Sequence, residues 1–267
     1  PEAYRNAREG NFSSGFGEVI DMDGLVIAAG ARYANRRTGE GLALVYDLDV
    51  NDSWSPQALE NPDRAANEAA SLMTDYGVSI AVDGNWIAVG ATGTAVNIIN
   101  NADVAGAVYL FERSNGQWLF RQKVMAPDAR ANDYFGGAVA MDNGRLLVGA
   151  TGMVNDNDPD NSFEAGKVYL FERQPNNQWT FTRHFEEPQM ITQAYFGATV
   201  AINGRHAIMT APGQFDDGAR VWSTVLGSNG QWSELASMET PDPWDMVSRL
   251  GEALEIDGDT ALVGAPG

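Results

Sequence analysis

Cysteine is absent from the 267 residues, which excludes a disulfide framework, a thiolate metal site and a cysteine nucleophile. Histidine stops at His184 and His206, so a histidine-rich metal centre is excluded and a Ser-His-Asp triad would have to draw on one of these two. Lysine is as scarce: only Lys123 and Lys167 stand among 17 basic residues, the rest being arginine. Against them are 36 acidic residues, and the formal charge of −19, spread along the chain, repels phosphate backbones and anionic lipid. Nucleic acid is therefore not an expected partner. No apolar run approaches the ~20 residues of a membrane-spanning helix. The chain opens on Pro1-Glu2-Ala3, without methionine or a signal peptide, and reads as a processed or trimmed piece.

What the chain does have is 44% apolar residues, enough for a sizeable core, and a repeat. An aromatic-Gly or Leu-Gly pair recurs at Phe16-Gly17, Tyr76-Gly77, Phe135-Gly136, Phe196-Gly197 and Leu250-Gly251. Six residues after each glycine stands Asp23, Asp83, Asp142, Asn203 or Asp257; thirteen after stands Gly30, Gly90, Gly149, Thr210 or Gly264, each followed by alanine. Each copy reads as an alternating strand, a tight turn and a second apolar strand ending in Gly-Ala. A third strand follows over 41–47, 106–112, 166–172 or 218–224. A fourth begins at Trp54, Trp118, Trp179 or Trp232. Four-stranded antiparallel meanders, apolar on both faces and repeated about every 60 residues, must cover one another, and stacking around an axis is the usual solution. The expected fold class is all-β, a β-propeller with about four and a half blades in one domain or fragment over 1–267, the repeats beginning near 16, 76, 135, 196 and 250. The tryptophans are expected as packing between blades.

Phe-Gly, an apolar strand, then Thr210-Ala-Pro-Gly213 or Val263-Gly-Ala-Pro-Gly267 resembles the FG-GAP repeat of integrin α-subunit propellers and of many bacterial surface and secreted proteins. The resemblance spans essentially the whole chain and implies an extracellular or cell-surface setting and an adhesive, non-enzymatic role. It also implies a calcium loop between the first and second strands, but here that place holds only a tight turn. Asp23, Asp83, Asp142 and Asp257 are instead expected as turn formers whose carboxylates bond nearby amides.

Strand alternation sends the long segments to one rim: 32–40, 92–105, 151–165 and 212–217, with the connection 55–75. Recognition is expected there, of a protein or a glycan, with a lectin as one variant. Asp156, Asp158 and Asp160 alternate in the most polar of these loops, an oxygen-ligand pattern suited to Ca2+, though an acidic loop in an acidic chain is also an ordinary solvated one. Tyr33, Arg36 and Arg37 form the one compact basic and aromatic group, able to grip a carboxylate or acidic sugar, or simply a surface loop. Asn61-Pro62 opens an alanine-rich stretch read as a short helix capping one end of the propeller. His184 is placed on a fourth strand and His206 in a hairpin turn, both expected as structural or exposed rather than catalytic. Asn11 and Asn51 match the N-glycosylation pattern. No catalytic pair stands out. The fifth copy ends at Gly267 after two strands, so the chain is expected to be a fragment of a larger ring or to be completed by further copies of itself, the latter implying self-assembly.

Overall fold

The computed structural model describes residues 15–34, 40–48, 52–64, 74–94, 104–152, 165–188, 194–212, 219–238 and 250–265. The first repeat supplies β1 (Phe16–Asp23), β2 (Val26–Ala31), β3 (Leu42–Leu48) and β4 (Trp54–Leu59). The second supplies β5 (Ile80–Asp83), β6 (Trp86–Ala91), β7 (Ala107–Ser114) and β8 (Gln117–Val124). The third supplies β9 (Phe135–Asp142), β10 (Arg145–Ala150), β11 (Lys167–Arg173) and β12 (Trp179–Glu186). The fourth supplies β13 (Val200–Asn203), β14 (His206–Ala211), β15 (Arg220–Val225) and β16 (Ala236–Met238). β17 (Ala253–Asp257) and β18 (Thr260–Gly264) form a two-stranded sheet. Strands pair in chain order within each four-stranded antiparallel sheet, the content of about four and a half propeller blades. The chain falls into two compact units, Pro1–Gly137 and Ala138–Gly267.

The aromatic-Gly pair is a turn. In the second repeat Val78 N donates to Asp75 O at 3.0 Å, and in the fourth Ala198 N donates to Tyr195 O at the same distance. The aromatic is the second residue of this turn and glycine the third, with φ of 87° at Gly77 and 88° at Gly197, the region a third-position glycine occupies at no steric cost. Tyr76, Phe135 and Phe196 are driven into full burial by the turn.

The Gly-Ala step lies against the next repeat's turn. A methyl group on Gly30 would sit 2.1 Å from the Gly77 carbonyl oxygen, and one on Gly149 would sit 2.0 Å from that of Gly197. Both glycines are thus required by backbone lying on backbone. The fourth repeat has Thr210 there, and its Oγ1 donates to Gly251 O at 3.2 Å; Thr199 Oγ1 donates to the same oxygen at 2.6 Å and meets Thr210 Oγ1 at 2.7 Å. In the second repeat Ser79 Oγ donates to Gly136 O at 2.7 Å in the same way.

Side chains at the strand ends also reach forward, which for Asp23 and Asp142 corrects the expectation that they serve their own turns. Gly84 N donates to Asp23 Oδ2 at 2.7 Å, Gly204 N to Asp142 Oδ2 at 2.8 Å and Gly258 N to Asn203 Oδ1 at 3.2 Å. Each hairpin is already closed by its own ladder, for example Asp23 opposite Val26. The side chain is therefore left to point at the following repeat's turn glycine.

Tryptophan packing between repeats holds for Trp118 and Trp232, both buried, and Trp179 is buried too. Trp118 Nε1 donates to Asp47 Oδ2 at 3.1 Å, and Trp232 meets Phe185 edge-on at 6.2 Å. Trp54 departs from the expectation and is 45% exposed. In the fourth repeat Trp232 pairs with Leu226 in an isolated bridge, but the fourth strand itself begins at Ala236: between them Ser233 Oγ accepts from Val225 N and Thr224 Oγ1 donates to Ser233 O, so hydroxyls interrupt the ladder. The connection after β4 begins at Glu60 rather than Ser55, since the strand runs on to Leu59. His206 begins β14 rather than lying in the turn.

Gly77→Ala, which forces a side chain onto positive φ and to within 2.6 Å of Leu42 O, is expected to cost about 2–4 kcal/mol. Gly84→Ala, at φ 56° in open space, should cost only about 1 kcal/mol. Denaturant midpoints of the two variants check this, and equal losses would contradict the seam.

Candidate binding site

The roots of the long segments in the first unit are hydrogen-bonded to one another. Gly93 N donates to Thr74 O and Gly106 N to Thr94 O, each at 2.9 Å, while Asn132 N donates to Val104 O at 2.7 Å and Phe135 N to Ala105 O at 2.8 Å. Of the residues singled out in the sequence, Tyr33 lies at such a root, with the Arg32 guanidinium 4.5 Å over its ring and Arg32 Nε 3.1 Å from Glu18 Oε2. Arg36 and Arg37 lie outside the described residues, as do Asp156, Asp158 and Asp160, Asn11 and Asn51. Among the described residues no group of three or more metal-ligating side chains occurs.

The connection after β4 begins as its sequence implied. Asn61 Oδ1 accepts from Asp63 N at 2.9 Å and Arg64 N donates to Asn61 O at 3.0 Å, the bonding of an N-cap followed by proline. Residues 65–73 lie outside the description. A polar cluster pins this start to the second sheet: Asp63 Oδ2 accepts from Tyr109 OH at 2.9 Å and from Lys123 Nζ at 2.7 Å. Tyr109 is fully buried and meets Tyr76, also fully buried, edge-on at 5.5 Å. Burial pushes both phenols well above the usual tyrosine range. One of the two lysines is thus occupied in holding a connection. The other, Lys167, is buried with Nζ 3.3 Å from Glu186 Oε1.

The second unit carries a cleft of about 520 Å3 that sequence reasoning missed, lined by Leu170, Glu172, Arg183, Gln231 and Trp232 with Phe181, Thr182, His184 and Gly230. Register explains it. Gln57 faces Val45 in the first repeat, Gln122 faces Leu110 in the second and Arg183 faces Leu170 in the third, so the three occupy one position. Gln57 closes its gap by clamping the following repeat's tryptophan, with Nε2 donating to Trp118 O at 2.8 Å and Oε1 accepting from Trp118 N at 2.9 Å. Arg183 makes no such clamp. Its guanidinium lies 4.5 Å over the Phe185 ring, and its Nε is buried without a hydrogen bond. The signal was present in the chain as a Gln-to-Arg change, visible only once strand register is known.

Residues 118–171 match the FG-GAP repeat family. This stretch runs from β8 through the third repeat's aromatic-Gly turn and Gly-Ala step to β11, so the FG-GAP match falls on the elements that form the seam. FG-GAP repeats are typically found in extracellular or surface proteins. No curated protein matches the chain. Among the described residues no helix is long and apolar enough to cross a membrane.

The raised phenols give a pH dependence with a definite sign. The folded chain holds protons that the unfolded chain releases near pH 10, so stability present at neutral pH falls as pH rises above about 10. In a spectrophotometric titration of the eight tyrosines, Tyr76 and Tyr109 are expected to ionise only together with unfolding. Ionisation of all eight in a chain that stays folded would contradict their burial.

Proposed function

We propose that this chain is a non-enzymatic binding or adhesion module of the extracellular space or cell surface, recognising a protein or glycan through the rim that carries its long segments. The observation that carries this reading is the bonding of the loop roots at Thr74, Gly93, Thr94, Val104 and Gly106, which fixes where the segments leave the sheets. Rigidly rooted variable segments suit recognition, because the scaffold has already met the entropic cost of ordering their bases. The strong negative charge repels polyanions at long range, so an anionic group can be held only where a local cation faces it.

The experiment is to replace residues 95–103 and 153–164 by short Gly-Asn linkers and compare the two proteins on glycan and protein arrays. Binding should fall at least about tenfold, the scale of losing ~1.4 kcal/mol of contacts, with an unchanged thermal midpoint. Undiminished binding by the trimmed protein would sink the rim assignment.

A second reading, a self-assembling structural subunit, is favoured by one face of the first repeat. Phe16, Ile20, Met22 and Trp54 are exposed, whereas their register counterparts Tyr76, Ile80, Val82 and Trp118 are buried. On this reading sedimentation shows concentration-dependent oligomers that Ile20→Asp disperses. A strictly monomeric protein over the whole range would remove it.

A further inference from the structure

The cleft beside β12 stands apart from the rim, and its chemistry is specific. We infer that it binds a sugar bearing a carboxylate, a uronic acid unit of an acidic glycan, with Arg183 as the carboxylate anchor.

Arg183 is the first argument. In a chain with 36 acidic residues its guanidinium makes no ion pair among the described residues, rests 4.5 Å over the Phe185 ring and leaves its buried Nε without a hydrogen bond. A planar cation with donors unspent matches the two oxygens of a carboxylate. The second argument is the rest of the lining. Register places Glu172, opposite Thr180, on the Arg183 face of the sheet, and its carboxylate has no hydrogen-bond or ion-pair partner among the described residues. A carboxylate of this kind accepts from neighbouring hydroxyls, and Gln231, which has both donor and acceptor, serves a third. Trp232 and Leu170 supply apolar wall, and Phe181, 38% exposed and stacked on His184, closes the outer margin. One cation, one hydroxyl acceptor, one amide and an apolar wall are what a pyranuronate presents partners for. The volume, about 520 Å3, lies within the usual range for small-ligand clefts, roughly 300–1,000 Å3.

An acidic peptide offers the same carboxylate but would dock by adding a strand to the β12 edge. That edge is interrupted: the register shifts between Leu170 and Phe171, Thr182 is the extra residue, and its hydroxyl is spent on Leu170 O at 3.1 Å. A bulged edge is a poor template for strand addition. The sugar is therefore favoured.

The experiment is isothermal titration of the full chain with tri-galacturonate, the neutral galactose trimer and a tri-glutamate peptide, repeated with Arg183→Gln and Gln57→Ala. Arg183→Gln installs the residue that the second repeat carries at this position, so the fold is expected to survive, as circular dichroism and the thermal midpoint will report. Tri-galacturonate should bind at least about tenfold more tightly than the neutral trimer or the peptide, the scale of one charge-assisted pair. Arg183→Gln should abolish that preference, and Gln57→Ala, in the other unit, should leave it intact. No binding of tri-galacturonate, equal binding of the neutral trimer, preference for the peptide, or a preference that survives Arg183→Gln would each overturn the assignment. Trimming the rim segments should leave tri-galacturonate binding unchanged, so failure at this cleft and failure of the rim reading are told apart.

Discussion

The structure depends on main chain lying against main chain between consecutive repeats. At Gly30 against Gly77, and again at Gly149 against Gly197, there is no room for even a methyl group. This closeness makes the motif what it is: an aromatic that is buried at Tyr76, Phe135 and Phe196, a glycine that turns, and, at Gly30 and Gly149, a glycine that is bare to receive the turn. Burying each aromatic is worth about 2–3 kcal/mol, but the larger effect is positional. A contact between backbones tolerates no slippage, so it fixes the strand register of each sheet against the next. The fourth repeat departs from the rule, since Thr210 stands there and its hydroxyl and that of Thr199 both bond Gly251 O.

Much of this was legible in the chain because the repeat compares the sequence with itself. The spacing of the aromatic-Gly pairs and of the Gly-Ala steps located nearly every strand, and the tight turns followed from their glycines. What could not be read was direction. Asp23 and Asp142 look like local turn formers, and only the sheet stacking shows their carboxylates bonded to Gly84 and Gly204 some sixty residues on. Nor could the shortening of β16 be foreseen, for Trp232 keeps its place while Ser233 diverts the ladder. The rim residues stood out by composition alone; only Tyr33 among those singled out lies within the described structure. Arg183 went unnoticed because nothing in its neighbours marks it, and its meaning comes from standing where the first and second repeats have glutamine.

That comparison separates two layers of the sequence. Inner positions such as Tyr109 and Tyr169, or Val89 and Val148, repeat because they pack. The position of Gln57, Gln122 and Arg183 lies on the last strand of each sheet, where a long polar side chain either joins the next repeat or leaves a space beside it. Repetition thus supplies the scaffold, and a single departure from it on an outer strand supplies an opening.

The forward reach of the strand-end side chains has a counterpart of opposite polarity. The bonds at Asp23, Asp142 and Asn203 take their acceptor from the earlier repeat and their donor from the later one. The hydroxyls of Ser79 and Thr199 run the other way, each donating from the earlier repeat to a carbonyl of the later one. In the fourth repeat both kinds occur together, Thr199 giving and Asn203 accepting, so the hairpin that follows is gripped at two points by groups of opposite demand.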